Sequence, residues 1–421
     1  MNSFPKELPT NPDIVVIGAG AAGIAATRTL VASDLDVVCL EADSRVGGRA
    51  HTDTELFGVP FDVGAHWLHC EHVNALKAPG LAMGLDLHAV PDRSVTVGLK
   101  DEAVLWDAVE AVFEQSAQAV KSLNKNDDLS LADVLKVDGP WANTIQTMCC
   151  LSMGRDPNEI SLRDMFSWEG GKDWFCREGF GFLLARLADG LPISLSTPAT
   201  AIEAKPHEVH LSTKKGSLTP KAVIVTASVG VLAEDIIRFD PPLDKERRSA
   251  LDQITMGDYG HTALLFHPEA IPLEADTWLT YNIKDALDDI PQGGGFLCNA
   301  SGTGLTVFET GGSFNKALQE AGSDAAVEYA LEILVDIFGS QLRGKFEKGY
   351  STNWRHEPYV RGSYSGAMPG ASNQREILAM PHAGRIYFAG EATHKGQQAS
   401  VSGAYLEGKR VAKQAIRSIK D

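Results

Sequence analysis

The sequence predicts an α/β protein built on a parallel sheet, with a second, α+β domain inserted into it. Three observations carry that prediction. First, the apolar run Ile14-Val15-Val16-Ile17 leads through a glycine turn, Gly18 to Gly23, into a helical pattern over residues 21–33. A second apolar run, Val37-Val38-Cys39-Leu40, then closes on Glu41. Short, uninterrupted apolar strands flanking a helix belong to a parallel sheet covered on both faces. Second, the same order of strand, glycine turn and helix returns at the other end, with a strand over residues 385–389 and a helix from about Val401. Third, 421 residues exceed what one core ordinarily serves.

The stretch between these ends reads differently. Residues 100–190 are mainly helical in pattern, with clear segments at 105–120 and 180–188. Ala222–Val225 and His261–Phe266 read as apolar strands. Over residues 324–338, Ala326, Tyr329, Ala330, Ile333, Leu334 and Ile337 fall on one helical face. No repeat or low-complexity linker marks a boundary. The expected division is a discontinuous nucleotide-binding domain of residues 10–85, 190–260 and 345–421, and a substrate-binding domain of residues 86–189 and 261–344.

The formal net charge is −17. That excludes a phosphate-backbone partner, since nucleic-acid affinity comes from clustered Lys and Arg. An acidic field draws cationic ligands instead. Six scattered cysteines show no CxxC pair and no zinc or disulfide spacing, so reduced thiols and no metal site are expected. Residues 1–12 lack the basic and apolar regions of a secretory signal, and the uncharged runs 14–27 and 290–308 are interrupted by glycines. No membrane partner is expected, and the expected setting is cytoplasmic, as a monomer or homodimer.

Gly18-Ala19-Gly20-Ala21-Ala22-Gly23 matches G-x-G-x-x-G in its full context, after a strand and opening a helix. Gly18 permits the tight turn, Gly20 admits a pyrophosphate against backbone, and Gly23 lets helix and sheet close together. The helix N-terminus offers free amides to the phosphates. Glu41 is placed to accept from a ribose diol, which makes the unit a Rossmann-like dinucleotide site.

Just beyond stands Val46-Gly47-Gly48-Arg49, which resembles the double-glycine motif of the FAD family containing amine oxidases, L-amino-acid oxidases, protoporphyrinogen oxidases and carotene desaturases. Three more segments resemble the polyamine oxidases and lysine-specific histone demethylases within that family. They are Gly64-Ala65-His66-Trp67-Leu68-His69, the block from Trp354 through Arg361-Gly362-Ser363-Tyr364-Ser365, and Phe388-Ala389-Gly390-Glu391-Ala392-Thr393 with Ala399-Ser400-Val401 beyond it. Val223–Leu232 and Phe239–Leu243 extend the likeness through the middle of the chain.

The resemblance implies FAD as cofactor, with Gly48, Arg49, Gly64, Ala65, His66, Trp67, Trp354, Gly390, Glu391, Ser400 and Val401 around it. Glu391 would make a ribityl or water-bridged contact, and the amides opening the last helix would face the flavin pyrimidine edge, where reduced flavin is negative. Monoamine oxidases attach FAD at a cysteine where this chain has Ser363, so non-covalent FAD is implied. Tyr364 would stand over the flavin, opposite the small Ser400. His66 and His69 are candidate amine contacts, with a satisfied structural histidine as the plainer reading of either.

One departure stands out. The family places an oxygen-assisting lysine ahead of an apolar strand, and here the matching position in Met256-Gly257-Asp258-Tyr259-Gly260-His261 is His261. His261 is either the functional substitute or a structural filler. The implied reaction is oxidation of a C–N bond of an amine or polyamine, followed by imine hydrolysis to aldehyde and amine, with oxygen or another acceptor taking the electrons. Rival readings are an amino-acid oxidase, which needs an arginine clamp for carboxylate, a C–C desaturase, and a flavin-binding scaffold without chemistry.

Overall fold

The computed structural model describes residue 9 and residues 11–98, 103–124, 127–168, 170–267 and 269–420. The expected onset of the helical region near residue 100 and the last residue, Asp421, lie outside them.

The first sheet has the order Ile386–Phe388, Ala222–Val225, Ile14–Ile17, Val37–Leu40 and Ile193–Ser194, parallel throughout. The sheet thus draws strands from both ends of the sequence, with Ala222–Val225 between Ile14–Ile17 and Ile386–Phe388. Successive residues point to opposite faces of a strand, and both faces here are apolar. Ile14, Val16, Val37, Cys39, Ala222 and Ile224 pack against helices, while Val15, Ile17, Val38, Leu40, Val223 and Val225 pack on a second β-layer. The helices Ala21–Val31 and Val401–Lys420 lie side by side on the first face. A Cβ at Gly408 would stand 2.0 Å from the Ala22 carbonyl oxygen, and one at Gly23 would stand 1.8 Å from that of Gly18. Only hydrogen fits at either place, so two glycines set the spacing of turn, first helix and last helix. The second β-layer has the order Gly216–Leu218, Val209–Thr213, Ala199–Ala204 and Arg238–Asp240.

The other large sheet has the order Phe346–Ser351, Tyr259–Phe266, Leu305–Gly311, Gly295–Cys298, Thr277–Tyr281 and Ser94–Val97. It is antiparallel except for its last pair. Helices Gly312–Ala321 and Ser323–Phe338 cover one face through Phe314, Leu318, Ala326, Ala330 and Leu334. The opposite face carries Ala263, Leu297, Leu305 and Val307 and packs on Phe57, Phe61 and Phe175. A helical layer, including Ala103–Ser122 and Ala142–Leu151, gathers around Leu105, Val109, Val112, Ile145 and Cys149.

Two elements sit across the expected division. Phe346–Ser351 pairs with Tyr259–Phe266 in the second sheet rather than joining the nucleotide sheet. The helix Phe180–Leu187 buries Phe180, Leu183, Leu184 and Leu187 in the core of the nucleotide sheet. Its apolar face packs there beside the helix Ala21–Val31. Among the described residues no helix is long and apolar enough to cross a membrane, and no group of three or more His, Cys, Asp or Glu is placed to hold a metal ion.

Candidate flavin and substrate site

The glycine turn and the Gly47-Gly48 turn meet as one cradle. Gly47 donates its amide to the Ala19 carbonyl at 2.8 Å, and Gly20 and Gly47 form a bridge. Gly18, Gly47 and Gly48 have φ of +96°, +98° and +59°, conformations that favour glycine. Above them there is room. A Cβ on Gly20 would meet nothing nearer than 3.9 Å, and one on Gly390 nothing within 4 Å. Gly20 caps the helix Ala21–Val31 with no side chain, so the first-turn amides stay open to an anion. Glu41 is buried, accepting from the amides of Ala19 at 2.6 Å and Asp43 at 2.8 Å. Burial pushes its carboxyl up, and those two amides pull part of the shift back. A carboxylate has about four acceptor sites, so capacity for a ribose diol remains. An open glycine cradle, free helix amides and an acid at the next strand end fit the adenine-nucleotide half of FAD.

Arg49 and Glu391 join the cradle to the rest of the site. The Arg49 guanidinium donates to Glu391 Oε1 at 2.7 Å and to the Ser363 carbonyl at 2.9 Å. Glu391 also accepts from the Ser365 hydroxyl at 2.6 Å and the Ala399 amide at 3.1 Å. Burial would raise its carboxyl, but Arg49 and Arg375 outweigh that and hold it below its ordinary value. Both oxygens are thus occupied by protein. Glu391 is a hub that fixes Arg49, Ser365 and the start of the last helix. Behind it, the fully buried Arg375 donates to both oxygens of Asp164, at 2.6 and 2.7 Å, and to the Ser365 hydroxyl at 2.9 Å. Sequence reasoning missed this pair, which is 211 residues apart and carries no local signature.

The remaining cofactor-side residues are packed by one another. Trp354 is buried, donates its indole N–H to the Val63 carbonyl at 3.0 Å, and lies where a Cβ on Gly64 would be 2.9 Å away. Ala65 donates to the Arg49 carbonyl at 2.9 Å. Trp67 packs on Phe175 with ring centres 4.7 Å apart. The Ser400 hydroxyl accepts from the Gly403 amide at 2.9 Å and donates to the Gln397 carbonyl, capping its own helix. The amides of Val401 and Ser402, in the first turn, have no intrahelical acceptor. Ser363 donates to the Gly257 carbonyl at 2.9 Å. Tyr364 donates to the Leu151 carbonyl at 2.9 Å, and its ring lies 5.6 Å from that of Tyr259. Apolar surroundings push both phenols up, so both stay protonated donors.

The structure separates the two candidate histidines of the Gly64–His69 segment. Trp67 lies between them in a non-helical stretch, where residues i and i+3 face opposite ways. His69 turns outward, 41% exposed, with Nδ1 3.0 Å from Asp173. His66 turns inward, its ring centre 6.2 Å from that of His261. His261 is buried, and its Nδ1 lies 3.0 Å from the Asp62 carbonyl oxygen. A carbonyl only accepts, so Nδ1 carries the proton and Nε2 presents a lone pair. Burial lowers the His261 pKa below its ordinary value, leaving the ring neutral at pH 7. Opposite it in the sheet register stands Glu309, which accepts from the Tyr259 hydroxyl. Neither Glu309 nor Asp62 was found from sequence. The available signal for Glu309 was a charged residue at the third inward position of an apolar alternation, after Leu305 and Val307.

Two family models match the chain: one described as flavin containing amine oxidoreductase over residues 159–416, and one described as an NAD(P)-binding Rossmann-like domain over residues 16–78. The chain is 27% identical to polyamine oxidase 4 of Oryza sativa subsp. japonica, over 96% of this chain and 89% of the relative. It is 24% identical to lysine-specific histone demethylase 2 of Homo sapiens, over 97% of this chain and 54% of the relative. A double mutant of putrescine oxidase superposes with a TM-score of 0.81 at 16% identity, over 97% of this chain and 99% of that one. The nucleotide cradle, the ordered motifs and a family match over more than half the sequence lead to one conclusion: this chain is an FAD-dependent enzyme belonging to the flavin-containing amine oxidoreductases.

Proposed function

We propose that the chain oxidises a C–N bond of a polyamine or diamine, with FAD held non-covalently. The observation that carries this reading is the make-up of a cavity lined by two carboxylates, Asp62 and Glu309, and two inward histidines, His66 and His261. Tyr259 donates its hydroxyl to Glu309 and packs its ring on that of Tyr364. The nearby guanidinium groups are engaged elsewhere, Arg177 with Asp86 and the Ser301 carbonyl, and Arg155 with Thr255. An acidic site whose nearby described guanidinium groups are already engaged suits a cationic amine better than an amino acid, which needs a clamp for its carboxylate. The polyamine and putrescine oxidases among the relatives support the same reading.

FAD, when bound, supplies the hydride acceptor. The chain binds the amine in its neutral form at the reacting nitrogen, holds it beside Tyr364 and keeps bulk water out. The catalytic side chains are Tyr364, His261 and His66; His69, which faces outward, supports Trp67. We assign the nucleotide domain to the parallel sheet and its two covering layers, and the substrate domain to the six-stranded sheet with the helical layer. Five of the six cysteines are buried, and their scatter without CxxC or disulfide spacing supports a reducing, cytoplasmic setting.

Anaerobic bleaching of the flavin by a panel of amines tests the reading. Polyamines or their acetylated forms are expected to reduce it faster than phenylalkylamines or amino acids. Faster reduction by an amino acid would assign the chain to another branch. Acid precipitation is expected to leave intact FAD in the supernatant, because a serine at position 363 forms no thioether. Flavin carried down with the protein would show a covalent link.

The acceptor follows from His261. A neutral, buried imidazole beside a buried carboxylate supplies no positive charge to stabilise developing superoxide. Each ~1.36 kcal/mol of lost stabilisation costs about tenfold in rate. The reduced enzyme is expected to reoxidise slowly in air and faster with a quinone, and His261→Lys to speed the oxygen reaction about tenfold or more. Stopped-flow reoxidation measures both. Rapid wild-type reoxidation, unchanged in His261→Lys, would leave His261 a structural residue.

A further inference from the structure

Residues 394–400 lead from the turn Glu391–Thr393 into the last helix, Val401–Lys420. At their centre Gln397 is tied to the first turn of that helix. The Gln397 carbonyl accepts from the Ser400 hydroxyl at 2.7 Å, and its Oε1 accepts from the Ser402 hydroxyl at 2.7 Å. A Cβ on Gly403 would stand 1.9 Å from the same carbonyl oxygen, so backbone meets backbone there. The Ser402 hydroxyl also accepts from the Ala75 amide at 3.0 Å, which ties the turn to the nucleotide domain. Gln397 therefore sets where the first-turn amides of Val401 and Ser402 stand, the amides that face the flavin.

Gln397 is itself held from behind. Its backbone amide donates to Nδ1 of His394 at 3.1 Å. An amide only donates, so Nδ1 presents a lone pair and the ring is neutral, with its proton on Nε2. A second proton would set a donor against a donor. Burial pushes the His394 pKa below its ordinary value; Glu407 and the Lys395 backbone oppose that shift, while Arg410 and Arg375 add to it. Glu407 is engaged by Arg410 and the Thr393 hydroxyl, and Lys395 is paired with Glu376. The same stretch holds Ala399 at φ +60°, a left-handed conformation that a side chain disfavours, with its amide on Glu391 at 3.1 Å. A segment held in that conformation relaxes when one of its ties is removed.

We propose that neutral His394 is a positioning residue for the cofactor: it clips Gln397, so fixing the first turn of the last helix against FAD, and its protonation opens the clip and lets FAD leave. The closed segment accepts only the neutral ring. Its hold is complete above the ordinary histidine range and is lost progressively as pH falls below it.

The test follows flavin fluorescence as FAD is released from the holoenzyme at pH ~7.5 and pH ~5.8, on either side of the histidine range. No substrate is present, so the outcome is independent of which amine the chain oxidises. Wild-type release is expected to be about fivefold faster at the lower pH. His394→Asn places Oδ1, an acceptor that does not titrate, close to the position of Nδ1, and its rate is expected to change less than about twofold between the two pH values. His394→Leu removes the acceptor at every pH. Its release at pH ~7.5 is expected to be about fivefold faster than wild type, with no further rise at the lower pH. The deciding quantity is the ratio of rates at the two pH values. An equal ratio in wild type and His394→Asn would assign the effect to another titrating group and overturn the inference. A wild-type rate that does not change with pH, or a His394→Leu rate equal to wild type at the higher pH, would leave His394 a packing residue. If His394→Leu does not fold, the comparison of wild type with His394→Asn decides alone.

Discussion

Replacing Gly20 by valine is expected to yield a folded, colourless protein, its ratio of flavin to protein absorbance reduced more than tenfold. The backbone at Gly20, with φ −76° and ψ −172°, is extended and accepts any residue. A Cβ there has no protein atom nearer than 3.9 Å. The apoprotein therefore tolerates the side chain, and what it displaces is the pyrophosphate. The adjacent glycines behave differently. At Gly23 a Cβ would overlap the Gly18 carbonyl, and Gly18 itself has positive φ, so substitution at either damages the fold rather than the cofactor site alone. Thermal stability of Gly20→Val is expected to drop by the contribution bound FAD makes to the native state. Far-ultraviolet circular dichroism and flavin absorbance on one sample separate the two effects. Full flavin occupancy in Gly20→Val would show that the phosphates bind elsewhere.

The second large effect is expected at Asp164. Arg375 is 1% exposed and rests on both oxygens of that carboxylate. Asp164→Ala leaves a buried guanidinium with only Ser365 and the Ala392 carbonyl as partners. Breaking such a pair from one side costs about 3–5 kcal/mol. For a chain of this length that corresponds to a fall of roughly 3–6 °C in the thermal midpoint. Because Asp164 fixes Arg375 against the Ser365 hydroxyl that donates to Glu391, the variant is expected to loosen this hub and release flavin more readily. A double replacement of Asp164 and Arg375 by leucine and methionine is expected to recover most of the stability, since an apolar pair of similar volume needs no partner. A midpoint within 1 °C of wild type for Asp164→Ala would show that water or another donor takes the place of the carboxylate.

What the sequence made legible, and what it hid, divides along contact distance. Ile14–Ile17, the glycine turn and Val37–Leu40 could be read because strand, turn and helix signals are local, each set by residues within a few positions. The last strand and helix were readable for the same reason. Arg375 with Asp164, and Glu309 with Tyr259, were not, because their partners are brought together only by the packed sheets. His66 and His69 show a different failure. Residue type and spacing marked both, but the non-helical backbone between them sends one into the cavity and the other to Asp173. Phe346–Ser351 was assigned to the nucleotide domain on sequence order, and its backbone hydrogen bonds to Tyr259–Phe266 decide otherwise.

The central position of Ile14–Ile17, between Val37–Leu40 on one side and Ala222–Val225 on the other, with Ile386–Phe388 beyond, bears on the timing of biosynthesis. The first strand made lacks its second neighbour until residue 225 has left the ribosome, the sheet is not complete until residue 388 has, and the helix that packs on Ala22 follows later still. At a synthesis rate of about 5–20 residues per second, the first strand waits roughly 10–40 s with an apolar edge unpaired, and the sheet is complete only after roughly 20–80 s. FAD can therefore act only as a late ligand, captured once the sheet is complete at residue 388, and chains released before the helix Val401–Lys420 are expected to be prey for chaperones and proteases whatever the flavin concentration. Ribosome-stalled chains ending at residue 380 should accordingly bind no FAD, while chains extended through residue 420 and clear of the exit tunnel should.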